Sequence, residues 1–196
     1  MNQKGFLPTL VIFWAVLLIG LFADLGSKSW VFENYWQNGS VEAYRSQPVW
    51  LVGNFLGIQT STNGGASFGM LQGYQTYFSI LGVLSFLAIL VWLFALGGWQ
   101  DRLLTICLGA ISGGILGNMY DRMGLWHTEN TPEKHLYHVR DFIHFRLEGI
   151  PIFDPWPNFN IADSLLVCGV AVLVVKTLFT KEPAKEDQAE EEKGDS

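Results

Sequence analysis

The chain has 196 residues, 49% of them hydrophobic, with a formal net charge of -6 and a mean hydropathy of +0.25. That length fits one domain and that composition excludes an ordinary water-soluble one. The acidic excess lies largely in the terminal stretch KEPAKEDQAEEEKGDS, too polar to pack, so the charge says little about a partner and no nucleic acid is expected.

The first element is an apolar run with no Asp, Glu, Lys or Arg from Phe6 to Ala23. It is too long, and too poor in a cleavage signal, for a removed signal peptide, and reads as a membrane helix over about 6–23. At its end Asp24 and Lys28 stand at i and i+4, on one helix face and in the order that favours a salt pair. The connection that follows contains VWLVGNFLGIQTSTN, whose β-branched and aromatic residues suit short strands, and runs into NGGASFGM. The sequon at Asn38 is too short a pattern to carry weight. A second apolar stretch over 75–98 and a third over 103–120 are separated by the tight turn GGWQDR. In the third, Gly109, Gly113 and Gly117 recur every fourth residue, a face for close helix contact in lipid. Asn118, Asp121 and Arg122 continue that face. A fourth span over 163–180 follows the stretch FNIADSLLV, where Asn160 suits a helix N-cap and Asp163 the first turn. Cys107 and Cys168 fall in apolar segments and read as buried small hydrophobes.

Four spans cross alternately, which puts Asp24, Asp121 and Asp163 at one membrane face, together with Asp141 from the loop before the fourth span. Which face is undecided by charge: Lys4, Arg102, Lys176, Lys181, Lys185 and Lys193 lie on the side of the termini, and Lys28, Arg45, Arg122, Lys134, Arg140 and Arg146 on the other. Trp30, Trp36, Trp50, Trp126 and Trp156 fall in the two long connections, as in an interfacial aromatic belt. Charges in such places are costly and point to function. Two neighbouring carboxylates that share a proton can serve as base toward water and acid toward a carbonyl, the chemistry of aspartic proteases. There is no GxSxG or HExxH motif, and His127, His135, His138 and His144 match no short metal spacing, so no metal site is expected. A proton or cation relay through the aspartates is the alternative function, and a noncatalytic assembly or lipid-binding protein a third.

Taken together, DLGSK at 24–28, NGGASF at 63–68, GGILGNMYDR at 113–122, VRDF at 139–142 and FNIADS at 159–164 resemble the lipoprotein signal peptidases, signal peptidase II, of bacterial membranes. The resemblance implies an all-α integral membrane fold of four transmembrane helices with a small extracytoplasmic β-cradle. It implies an aspartic endopeptidase, without cofactor, that removes signal peptides from prolipoproteins just before a diacylglyceryl-modified cysteine. It places the protein in the cytoplasmic (inner) membrane, both termini cytoplasmic and the active site at the outer face, with globomycin-type compounds as inhibitors. It makes Asp141 and Asp163 the catalytic pair, and Asp24, Lys28, Asn63, Asn118, Asp121, Arg122 and Asn160 residues that bind substrate or support the site. Residues 1–180 are then one peptidase domain and 181–196 a disordered acidic cytoplasmic tail. Two features depart from the family pattern: the eighteen-residue connection between Arg122 and Asp141, and Arg140, at a position commonly apolar there. A guanidinium folded inward beside Asp141 would lower its pKa. The helix start favours charge on Asp163, so Asp141 is expected to hold the shared proton.

Overall fold

The structure is a computed structural model that describes residues 5–36, 47–65, 74–127 and 131–180. The acidic tail, the Asn38 sequon and the ASF end of NGGASF lie outside these residues. Four helices are long and apolar enough to cross a membrane: α1 (Phe6–Tyr35), α2 (Gln75–Leu90, continued by a π-helical turn to Ala95), α3 (Arg102–Arg122) and α4 (Ile161–Phe179). Four strands, β1 (Val49–Val52), β2 (Leu56–Asn63), β3 (Val139–Phe145) and β4 (Trp156–Phe159), form one antiparallel sheet in the order β1-β2-β3-β4.

The helices are turned inside out relative to a soluble bundle. Leu7, Val11, Leu18, Ile19 and Phe22 of α1 and Val167, Val170, Val174 and Leu178 of α4 are exposed, as expected where the outer solvent is lipid. What α1 buries is a single stripe: Thr9, Phe13, Leu17, Gly20, Asp24, Lys28 and Val31. Steps of three and four keep these on one helix face. The helix continues past Asp24 to Tyr35, so both charged residues sit inside it rather than beyond its end.

α3 is the central helix, packed on α1 and α4. Glycines make the approach possible. A Cβ on Gly109 would stand 3.0 Å from the Phe13 carbonyl and one on Gly113 2.8 Å from that of Leu17, both on α1. Gly117 backs onto the Asp24 side chain. The neighbouring Gly114 looks the other way, where a Cβ would meet the Ala162 carbonyl of α4 at 2.5 Å. The four-residue stripe is therefore an internal α1–α3 contact, with Gly114 adding a second toward α4. Asp101 starts α3 by accepting from the Leu104 amide at 3.0 Å, and it also pairs with Lys176 near the end of α4.

The sheet positions the other half of the site. β3 is its most buried strand and pairs Asp141 with Ser61 of β2. β4 pairs Phe159 with Ile143 and leads through Asn160 straight into α4. Asp141 and Asp163 thus approach from a strand and from the helix that its neighbouring strand feeds.

Candidate active site

Asn160 caps α4 in a reciprocal box: its side-chain oxygen accepts from the Asp163 amide at 2.9 Å, while Asp163 Oδ2 accepts from the Asn160 amide at 3.2 Å. The next free amide of the first turn, Ala162, donates at 2.9 Å to Asp24 Oδ1 of α1. The helix start is satisfied partly by itself and partly by a residue 138 positions earlier.

Behind it lies a buried charge network. Lys28 Nζ donates to Asn118 Oδ1 at 2.9 Å and forms ion pairs with Asp24 Oδ2 at 2.7 Å and Asp121 Oδ2 at 3.2 Å. Lys28, Asp24 and Asp121 have no exposed side-chain surface. Two aspartates and the cations Lys28 and Arg140 balance, as buried charges require.

The Arg140 guanidinium does not turn toward Asp141, so the condition for lowering that acid's pKa is not met. Arg140 donates instead to Asp121 Oδ1 through Nε at 3.1 Å and Nη2 at 2.8 Å, and its own amide reaches Asp121 Oδ2 at 3.0 Å. The reason is strand geometry: successive side chains point to opposite faces, so residues 140 and 141 of β3 look in opposite directions. Trp126, from the long connection, and Phe32 of α1 lie 5.1 and 5.9 Å from the guanidinium, in cation–π range.

Toward the front, the polarity of each amide is fixed by its partners. Lys28 can only donate, so Asn118 turns its oxygen to Lys28 and its Nδ2 to Asp163 Oδ1, at 2.8 Å. The Asp163 amide can only donate, so Asn160 turns Nδ2 to Asp141 Oδ1, at 2.7 Å. Asn160 Nδ2 also lies 3.1 Å from Asn118 Oδ1 and 3.3 Å from the Arg140 carbonyl. Each candidate catalytic carboxyl is thereby held by an asparagine N–H. Burial, and then the charge of Asp163, push the Asp141 carboxyl well above the ordinary carboxylate range; Lys28 and the Asn160 bond act in the opposite direction.

Both carboxyls line a cavity of about 760 Å³. Asn63, Asn118 and Arg122 line it too, while Phe78 and Leu81 of α2, Ile115 of α3 and Leu166 and Val167 of α4 supply apolar wall. Asn63 Oδ1 accepts from the Gly65 amide at 2.9 Å, and Arg122 Nη2 reaches the Gly65 carbonyl at 3.4 Å with its guanidinium over the Phe78 ring. The expected set therefore divides: Asn63, Asn118, Arg122, Asp141 and Asp163 face the cavity, whereas Asp24, Lys28, Asp121 and Asn160 brace it from within.

Sequence reasoning missed the part Arg140 and Trp126 play in the brace, and Gly114. Period-two alternation in VRDF was a usable signal for Arg140; nothing local marked the other two. Cys107 is buried as expected, but Cys168 is exposed and lines the cavity, because it falls on the open side of α4. The histidines scatter. His135 and His138 Nδ1 lie 2.8 and 3.4 Å from Thr62 Oγ1, His144 pairs with Asn158 at 2.8 Å, and His127 contacts the Gly124 carbonyl. No group of three or more metal-capable side chains gathers among the described residues.

Residues 16–179 match the family model described as signal peptidase (SPase) II. A lipoprotein signal peptidase of Rhodopirellula baltica is 37% identical over 166 residues, covering 85% of this chain and 71% of that protein. Two solved structures, described as bacterial membrane enzymes determined by the in meso method at 2.3 and 1.9 Å, superpose with TM-scores of 0.62 and 0.60. They cover 91% and 89% of this chain and 94% of each of theirs, and at 22% identity they share its fold.

Proposed function

The chain belongs to the signal peptidase II family, and from that premise we propose that it is an aspartic endopeptidase whose reacting groups are Asp141 and Asp163. As a lipoprotein signal peptidase of a bacterial membrane, it removes the signal peptide on the N-terminal side of the diacylglyceryl-modified cysteine of prolipoproteins. The observation that carries the aspartic assignment is that both carboxyls open on one cavity, each gripped by an asparagine N–H of fixed polarity.

In the proposed step Asp141 holds the shared proton and Asp163 carries the charge. Burial and the neighbouring charge favour the neutral form of Asp141, and its Oδ1 is occupied as an acceptor, which leaves Oδ2 to bear the proton. Asp163 takes a proton from water as the water oxygen attacks the scissile carbonyl, and Asp141 gives its proton to the carbonyl oxygen. The tetrahedral intermediate collapses when the amide nitrogen receives the proton from Asp163 and leaves, and the hydroxyl proton returns to Asp141. Asn63 and Arg122 offer polar contacts to the peptide backbone, and the apolar wall from α2, α3 and α4 suits a lipid-bearing substrate entering sideways from the bilayer. The sheet and the dyad face the outside of the cytoplasmic membrane in this reading, with both termini in the cytoplasm and 1–180 forming one domain. A globomycin-type inhibitor would compete for the same cavity.

The relay alternative gains no support. Residues 75–95, which form α2 and its π-helical continuation, contain no charged side chain, and the candidate site residues collect at one end of the bundle.

Purified Asp141→Asn and Asp163→Asn enzymes, assayed on a diacylglyceryl-modified prolipoprotein beside its unmodified form, should each lose cleavage, by at least the ~10²–10⁴-fold that positioned acids and bases contribute. Clear turnover by either variant would end this assignment of the dyad.

A further inference from the structure

The two departures from the family pattern, Arg140 and the long connection after α3, meet at one point. Trp126 of that connection lies beside the Arg140 guanidinium and is itself fixed by donating Nε1 to the His138 carbonyl at 3.1 Å. Phe32 of α1 packs against both, 5.8 Å from the Trp126 ring. The result is a closed aromatic corner in which Arg140 is 3% exposed and is aimed at Asp121 by a two-pronged contact that a lysine cannot reproduce.

We propose that Arg140 is a positioning residue for the dyad, acting through Asp121 and Lys28 on the amide of Asn118. Lys28 has three N–H donors and three acceptors to serve: Asp24, Asn118 and Asp121. It reaches the third, through Asp121 Oδ2, at the longest distance, 3.2 Å, while the Arg140 guanidinium neutralises the same carboxylate through Oδ1 and the Arg140 amide donates to Oδ2. Lys28 is thereby left in close contact with Asn118, and that contact turns the Asn118 Nδ2 toward Asp163. Without Arg140 the buried cluster has two anions and one cation. Lys28 is drawn toward Asp121, the Asn118 amide loses the donor that fixes its polarity, and Asp163 loses its aligned N–H. Arg140 is not among the residues lining the cavity, so its own side chain makes no contact with substrate.

The inference rests on the assignment of Asp163 to the dyad, and its test separates the two. Steady-state cleavage of a diacylglyceryl-modified prolipoprotein is measured for wild type, D163N, R140M, D121N and the R140M/D121N pair. Cleavage by wild type with an inactive D163N secures the dyad whatever the other variants do. R140M should lose kcat by about 10²-fold, the scale set by a misplaced reacting group, with KM within about two-fold of wild type. R140M/D121N, in which Lys28 and Asp24 again balance, should recover at least ~10-fold of that loss, a coupling that a general loss of stability would not produce. Wild-type kcat in R140M, a defect confined to KM, or a double variant no faster than R140M would each overturn the proposal. Should R140M fail to accumulate, R140K keeps the charge without the fork: a smaller kcat loss at unchanged KM supports the proposal, and wild-type kcat overturns it.

Discussion

A single methyl group at Gly114 should separate the two halves of the proposed dyad. The Ala Cβ would stand 2.5 Å from the Ala162 carbonyl oxygen and 3.1 Å from Leu166 Cγ, so the nearer contact falls about 0.9 Å short of the 3.4 Å at which ordinary packing begins. The obstructing atom is backbone in the first turn of α4 and cannot rotate away; the turn itself must retreat. That turn carries Asp163, whereas Asp141 is held on the sheet. A retreat of this size carries the 2.9 Å bond from the Ala162 amide to Asp24 out of hydrogen-bonding range. Overpacking costs about 1–3 kcal/mol of stability, and a displacement approaching 1 Å between reacting groups costs on the order of 10²-fold in rate. Gly109→Ala provides the comparison. It creates a milder clash, 3.0 Å from the Phe13 carbonyl and 3.1 Å from Val16 Cβ, on the α1 side of α3 and away from the proposed dyad. Thermal unfolding in detergent and single-turnover cleavage should therefore diverge: both variants lose stability, and Gly114→Ala alone loses rate. Equal single-turnover rates for Gly114→Ala and wild type would refute the argument that this approach sets the dyad's geometry.

Asp141 makes stability depend on pH. Its folded-state pKa lies above the ordinary 3.8, so the fold holds more protons than the unfolded chain between the two values. The stability this gives is complete below about pH 4 and is lost as pH rises through the raised value, at roughly 1.4 kcal/mol per pH unit. Asp141→Asn, which keeps the acceptor for Asn160 and cannot ionise, should unfold at a higher temperature than wild type at neutral and basic pH, the difference vanishing near pH 4; a constant difference across that range would contradict the reasoning. Asp24 acts as both counter-ion and helix cap. Asp24→Asn should cost about 3–5 kcal/mol by leaving the buried cluster with two cations, Lys28 and Arg140, against the one anion Asp121, and Asp24→Ala about 1 kcal/mol more by also freeing the Ala162 amide; equal unfolding free energies would show that the cap contributes nothing.

The four spans were legible because periods without charge far exceed what a soluble helix tolerates, and their inward faces because small and polar residues mark them: Gly109, Gly113 and Gly117 on α3, Asp24 and Lys28 on α1. The proposed dyad could be read only from motifs brought together, since Asp141 and Asp163 lie 22 positions apart on different kinds of element. What local sequence could not carry was direction. The Arg140 side chain has an acid on its carboxyl side and another nineteen positions back, and only strand alternation and the pull of buried Asp121 decide between them. Gly114 was hidden by its neighbour, because two adjacent glycines on a helix point about 100° apart and serve different partners. Asn160 was legible as a cap but not as a hinge pin, since its second role, donating to Asp141, depends on where the sheet lies.

The bond from Ala162 to Asp24 also has a meaning in time. Ribosomes deliver α1 first and α4 last, so the acceptor waits in the membrane while some 138 residues follow it. Until α4 arrives, Asp141 lacks the asparagine that grips it and Asp163, the partner acid proposed for it, so the proposed reaction cannot run. On the proposed assignment, insertion of α4 completes the site, and a chain truncated before residue 160 should be inactive.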